Sequence, residues 1–186
     1  MLKILKTSLP DVLIIQPDIF EDPRGFFMET YHQKKYAEEG LDRSFVQDNL
    51  SYSTIDTLRG LHYQYPNAQA KLIQAIEGEI FDVAVDIRRG SPAFGQWTGV
   101  HLSDEDKRQL FVPEGFAHGF CVISDTASVV YKCTDFYAPE SEKGIIWSDP
   151  DIGIAWPVKE PLLSPKDSRY PCLRDITTDN LPDYRE

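Results

Sequence analysis

The chain has 186 residues, enough for one domain with a full core, and 41% of them are apolar, including 10 Phe, 9 Tyr and 3 Trp. Such a chain folds rather than staying disordered. Its formal charge of −11 argues against nucleic acid or an acidic membrane as a partner, so an anionic ligand needs a local cluster of Arg and Lys.

No run of roughly 20 apolar residues is present to span a membrane, and the lysine-interrupted residues 1–6 do not read as a secretory signal. The three cysteines, Cys121, Cys133 and Cys172, contain no C-x-x-C pair. That argues against a disulfide framework or a structural zinc and points to a cytoplasmic setting. Cys121 and Cys133 lie in apolar runs and read as small core residues.

In chain order, the apolar run 12–15 predicts a strand ended by Gln16-Pro17. Residues 20–25 form a turn cluster leading into a strand over 26–31. Residues 33–39 have helical composition, with Gly40 placed to cap the end, and 45–49 is strand-like again. A β-hairpin is expected from Leu58 to Gln64, turning through 66–69 and returning from Lys71 to Ile76. Residues 80–87 alternate, with Phe81, Val83, Val85 and Ile87 on one face and Asp82 and Asp86 on the other. Further strands are expected at 96–102, 109–112, 118–123 and 127–137.

Many short strands punctuated by 13 Pro and 11 Gly, with one modest helix and no β-α alternation, predict an all-β jelly-roll barrel or sandwich with a few short peripheral helices. A single domain is expected over 1–186, with roughly 148–186, rich in Pro and Asp, as a tail packed on the barrel.

The stretch Arg59-Gly60-Leu61-His62-Tyr63-Gln64, followed by Lys71, concentrates polar groups that a core hairpin would have to satisfy at a cost. An anion site beside a proton-transfer site would use them. His62 alone reads as an ordinary strand histidine, but Arg59 and Lys71 beside it favour a neutral imidazole able to act as a base. Arg24 and Arg59 singly read as surface residues. Both adjoin a Gly, and two forked guanidiniums suit a phosphate or diphosphate. Arg59 and His62 differ in strand parity, so both reach one pocket only if the strand begins after Arg59 or bulges near Gly60.

Asp167, in Ser164-Pro165-Lys166-Asp167, reads first as part of a helix start and alternatively as the carboxylate that orients the His62 ring. Tyr131 and Tyr137 share parity on the expected 127–137 strand. They read either as a core aromatic stripe or as the source of a proton donor.

Pro113-Glu114-Gly115-Phe116-Ala117-His118 resembles the second sequence box of the cupin superfamily of small jelly rolls. Metal-binding cupins carry H-x-H and then a Glu in the first box. Here Gln64 follows His62, and Lys71 stands where a carboxylate would be, so a divalent metal site is disfavoured.

Several blocks in order resemble the dTDP-4-dehydrorhamnose 3,5-epimerase family. They include Asp22-Pro23-Arg24-Gly25-Phe26-Phe27, Phe45-Val46-Gln47-Asp48-Asn49, Arg59-Gly60-Leu61-His62-Tyr63-Gln64, the cupin box, Tyr131-Lys132-Cys133-Thr134 and Ile152-Gly153-Ile154-Ala155-Trp156-Pro157. The resemblance implies a cofactor-free and metal-free homodimer that exchanges N-terminal strands. It implies inversion of carbons 3 and 5 of dTDP-4-keto-6-deoxyglucose to give dTDP-4-keto-rhamnose, with His62 as base, Tyr131 as proton donor, Asp167 paired with His62, and Lys71 near the ketone.

By the same resemblance Arg24, Phe26, Glu29, Gln47, Asp48, Asn49, Arg59, Lys71, His118, Tyr137, Glu142 and Lys166 fall at substrate contacts. Tyr52 departs from the Lys or Arg more usual at its place. The alternatives are a mono-epimerase acting at carbon 3 or 5 alone, or a keto-isomerase on a related dTDP-4-keto-deoxysugar.

Overall fold

In the computed structural model, which describes residues 2–184, short apolar runs separated by Gly-, Pro- and Asp-rich turns form thirteen strands, as strand and turn preferences dictate. Eleven of them make two sheets. The larger runs β1 (Lys3–Lys6), β2 (Leu13–Gln16), β10 (Gln109–Val112), β7 (Lys71–Glu77), β12 (Thr126–Cys133), β5 (Gln47–Thr54). The smaller runs β13 (Glu142–Gly144), β6 (Leu58–Gln64), β11 (Phe116–Val122), β8 (Glu79–Asp86), β9 (Trp97–Ser103).

A separate hairpin joins β3 (Ile19–Asp22) to β4 (Gly25–Met28). One α-helix, α1 (Gln33–Glu38), and four 3-10 turns complete the described chain. The Gly40 and Leu41 N–H groups close α1 on the carbonyls of Ala37 and Tyr36, the pattern of a Schellman cap. The architecture is the expected all-β jelly roll, and no helix of the described residues is long and apolar enough to cross a membrane.

The core lies between the sheets, where Ile73, Ile80, Leu102, Leu110, Phe120 and Val129 are buried together. A second cluster covers the outer face of the smaller sheet. There Leu61, Val83, Val85 and Ile145 meet Ile152, Leu173 and Leu181 from the C-terminal segment. The alternation read over 80–87 is therefore correct in parity, yet both faces of β8 are buried. Its even face points into the barrel, so Asp82 and Asp86 are both 0% exposed. The outer face of the larger sheet is covered only in part, by α1 and its neighbours, and leaves Leu50, Tyr52 and Ile76 exposed.

The main departure from expectation is the 58–76 hairpin. β6 bonds to β11 and β13, whereas β7 bonds to β10 and β12, so these neighbours in sequence lie in opposite sheets. Periodicity shows that two strands exist, but not whether they pair or face each other. The corner between them is held by Gln64, whose Nε2 donates to the carbonyls of Asn67 and Phe136 and whose Oε1 accepts from the Ala138 N–H.

The expected 127–137 strand stops at Cys133, so Tyr137 lies beyond it. The strand expected over 26–31 ends at Met28, and its partner β3 occupies part of the expected turn cluster. β13 had no sequence signal, because Glu-Lys-Gly carries no strand preference.

Candidate active site

Inward-facing side chains of both sheets enclose a cavity of about 310 Å³. Gln47 and Asn49 of β5, Lys71 of β7 and Tyr131 of β12 enter from the larger sheet; His62 of β6 and His118 of β11 enter from the smaller. Tyr137 and Glu142 also line it.

His62 reaches the cavity because β6 is bulged. His62 pairs with His118 and Arg59 with Phe120, so three residues of β6 span two of β11. Two glycines permit this approach. Gly60 has φ +133, and a Cβ there would stand 2.5 Å from the Gly119 Cα; one on Gly119 would meet the Arg59 carbonyl at 2.7 Å. A bulge near Gly60 is one of the two arrangements that the parity of Arg59 and His62 allowed, although Arg59 opens on an adjoining groove and not on this cavity. Directly opposed residues project to one face, which puts the two imidazoles in the same cavity.

Behind His62, Nε2 lies 2.7 Å from Asp167 Oδ1, and Asp167 is buried. Asp167 makes contacts of both kinds. Its N–H donates to the Ser164 hydroxyl at 3.1 Å, as at a helix start, while its carboxylate faces His62. Only a 3-10 turn follows, over Asp167–Arg169. Burial opposes charging the Asp167 carboxyl, but hydrogen bonds from His62, Ser164 and the Gly60 backbone outweigh it and hold the pKa below the usual value.

Lys71 and Tyr131 have no side-chain hydrogen bond to another described residue. Burial lowers the Lys71 pKa, against the opposing pull of Cys133, Asp82 and Glu142. Burial raises the Tyr131 phenol, which therefore keeps its proton at neutral pH. Cys133, read from sequence as a core residue, is buried but lines the cavity, and Asn49 Nδ2 lies 3.6 Å from its Sγ.

At the mouth, Glu142 accepts from the Tyr137 hydroxyl at 2.6 Å and pairs with the Lys166 ammonium. Gln47 Oε1 accepts from the Tyr137 N–H at 2.8 Å, so Tyr137 reaches the site from the loop after β12. Burial would raise the Glu142 pKa, but Lys166 and Tyr137 hold it down.

Six expected contacts are not among the residues that line this cavity; one of them, Lys166, stands at its mouth through Glu142. Arg59 sits on an adjoining groove that Asp167 also lines, with its guanidinium on the Ser53 hydroxyl and the Tyr52 carbonyl. Asp48 has the opposite parity to Gln47 and Asn49 and pairs with Lys132 on the outer face. Arg24 pairs with Asp22 in its own turn, Phe26 lies under the Lys107 ammonium, and Glu29 pairs with Lys35.

Sequence reading missed two positions. Asp82 receives His118 Nε2 at 2.8 and 3.0 Å; its signal was an acidic residue at an apolar-strand position. Tyr170 packs edge-on to His62 at 5.8 Å, over Gly144, where any Cβ would strike its ring. No local pattern marks Tyr170. Among the described residues, no three His, Cys, Asp or Glu side chains converge as a metal site.

Fold and cavity together define a jelly roll of the cupin type whose interior holds acid–base side chains. The model of the dTDP-4-dehydrorhamnose 3,5-epimerase family matches residues 6–175. A dTDP-4-dehydrorhamnose 3,5-epimerase of Shigella flexneri is 59% identical over 89% of this chain and 93% of its own length. The Neisseria gonorrhoeae protein of that name is 58% identical over 88% of this chain, which spans 50% of that longer relative.

A crystal structure of dTDP-6-deoxy-D-glucose-3,5-epimerase from Legionella pneumophila, in complex with dTDP-4-keto-L-rhamnose, is 50% identical. It superposes with a TM-score of 0.98 over 100% of both chains. The chain belongs to the dTDP-4-dehydrorhamnose 3,5-epimerase family, a family of isomerases.

Proposed function

We propose that this protein inverts carbons 3 and 5 of dTDP-4-keto-6-deoxyglucose, giving dTDP-4-keto-rhamnose, by way of enolates. The observation that carries the reading is the convergence of His62, Lys71 and Tyr131 on one cavity, with Asp167 bonded to the imidazole. A ketone at carbon 4 acidifies the protons on carbons 3 and 5, because the carbanion formed at either delocalises onto the ketone oxygen.

His62 takes the proton. Its Nε2–H donates to Asp167, which leaves Nδ1 as the basic nitrogen. Lys71 stabilises the oxyanion as it forms. Tyr131 then returns a proton to the opposite face; His62 releases the abstracted proton to solvent and Tyr131 recovers its own from there, which resets both for the second carbon. The substrate is its own electron sink, so this route uses no cofactor. Arg59, from its groove beside Asp167, takes the diphosphate, while Glu142, Lys166 and Tyr137 form the mouth through which the nucleotide sugar enters.

Arg24, Phe26 and Glu29 act in the cavity of a second copy, in a homodimer with exchanged N-terminal strands. Exposed Phe20, Phe27, Leu50 and Tyr52 support such an association. Free cysteines support a cytoplasmic setting.

Incubation with dTDP-4-keto-6-deoxyglucose in heavy water, read by proton NMR, tests the reaction. Deuterium is expected at both carbons, with inversion at both. Label and inversion at one carbon alone would make this a mono-epimerase, a moved carbonyl would make it a keto-isomerase, and no label at either carbon would defeat the reading.

A further inference from the structure

A second histidine–carboxylate pair stands at the cavity besides His62 and Asp167. His118, from β11, lines the cavity, and Asp82, from the neighbouring strand β8, lies behind it on the face that Ile80 and Ala84 turn into the barrel. The Asp82 carboxylate is 0% exposed, and His118 is its one hydrogen-bond donor among the described side chains and backbone groups. A carboxylate this deep is strongly destabilising unless a cation balances it. The other inward carboxylate of β8 has one: Arg88 forks onto Asp86, and Ser91 adds a third bond. Asp82 has no such clamp.

Lys71 presents the complementary need. Its ammonium has no hydrogen-bond partner among the described residues, and burial works against its charge. Eight titratable groups share its surroundings: His62 and Tyr63 on β6, Asp82 on β8, His118 on β11, Tyr131 and Cys133 on β12, Glu142 on β13, and Tyr137 in the loop before it. Of these, Glu142 is already committed to Lys166 and Tyr137. Burial holds the Cys133 thiol and the Tyr131 phenol in their neutral forms. Asp82 is left as the inward-facing carboxylate on the opposite sheet that acts on Lys71 and whose one side-chain partner is an imidazole.

We propose that Asp82 is a positioning residue for the reaction: its buried carboxylate fixes the His118 ring and supplies the counter-charge for the Lys71 ammonium that faces the ketone oxygen. This rests on the enolate chemistry proposed above. The cost of keeping a buried lysine charged is offset by a carboxylate on the opposite sheet that is itself 0% exposed.

The test is the pH profile of carbon-bound deuterium exchange in Asp82→Asn and Asp82→Glu, beside the wild type. Asn keeps the shape and an acceptor for His118 but removes the charge, and thermal melting checks that both variants fold. With its counter-charge gone, Lys71 loses its proton more easily, so the alkaline limb of kcat moves to lower pH. A shift of about one to two pH units is the size expected for one nearby charge at an effective dielectric of about 20. Near neutrality kcat falls by roughly ten- to a hundredfold, and the gap to wild type narrows as the pH is lowered. Asp82→Glu retains the wild-type limb.

An unmoved limb in Asp82→Asn, or the same displacement in both variants, overturns the proposal. Should either variant fail to melt cooperatively, the limb is read instead from the Lys71 ammonium by NMR titration of the wild type. A Lys71 pKa that does not respond to the carboxylate signal of Asp82 overturns it equally. Absence of exchange in the wild type would instead strike the parent reaction, so the two failures are distinguishable.

Discussion

The barrel cavity and the β3–β4 hairpin place their polar and apolar groups in opposite ways. In the cavity and at its mouth, polar side chains are turned inward and paired: Asp167 with His62, Glu142 with Lys166, Asp82 with His118. On the hairpin the order is reversed. Phe20, Phe26 and Phe27 are 60%, 57% and 67% exposed, and Arg24 meets only the Asp22 carboxylate of its own turn, an exposed pairing that stabilises little. The contrast teaches that the cavity's polar side chains find their partners within one chain, whereas the hairpin leaves its aromatic rings on the surface, where the proposed second copy would meet them.

The contrast is broken most directly at His62 and Tyr131. His62→Ala and Tyr131→Phe should each lower deuterium exchange by roughly 10²- to 10⁴-fold, the usual worth of a positioned acid or base, with little change in melting temperature. A loss below threefold in both would remove them from the chemistry. Next in size is Gly119→Ala, whose Cβ would press on the Arg59 carbonyl. It should cost about 1–3 kcal/mol of stability by denaturant unfolding, as overpacking does, and it should lower activity as β6 shifts.

Arg24→Ala with Phe26→Ala should raise KM about tenfold, the loss of one charge-assisted contact, and leave kcat and melting temperature near wild type. A fall in kcat with KM unchanged would place the hairpin in the chemistry and erase the distinction between the regions.

The smallest effect concerns Asp167. Its folded-state pKa lies below the unfolded value, so its contribution to stability is present above about pH 4 and is lost as pH falls through the lower folded value. The difference in melting temperature between wild type and Asp167→Asn should therefore shrink between neutral pH and pH 3. A constant difference would show that the carboxylate is not preferentially charged in the fold.

Much of this was legible in the sequence, for reasons that can be named. Strand alternation and turn residues place the central strands because side-chain period and backbone punctuation are local properties. An irregularity near Gly60 was legible because Arg59 and His62 share a face only if the strand begins after Arg59 or bulges there, and the structure has the bulge.

Pairing was not legible. Whether β6 turns back on β7 or crosses to the other sheet depends on what covers each face. That is decided by β11 and β12, more than 40 residues onward in the chain. Asp82 escaped for a related reason: an Asp alternating with apolar residues reads the same whether its face meets water or the barrel interior. Tyr170 escaped because the gap it fills is made by Gly144 and His62, neither of which adjoins it in sequence.

The bulge also sets a length. Arg59 and His62 are three residues apart on β6, an advance of about 10 Å in a regular strand, but they stand opposite positions only two apart on β11, an advance of about 7 Å. In the proposed reaction, where Arg59 would take the diphosphate and His62 the sugar ring, the backbone would act as a ruler whose graduation is fixed by two glycines. Such a ruler is insensitive to rotamer changes at either residue. A substrate analogue with one extra atom between ring and phosphate would carry its acidic carbon past the imidazole, even though every side chain in the cavity were unchanged.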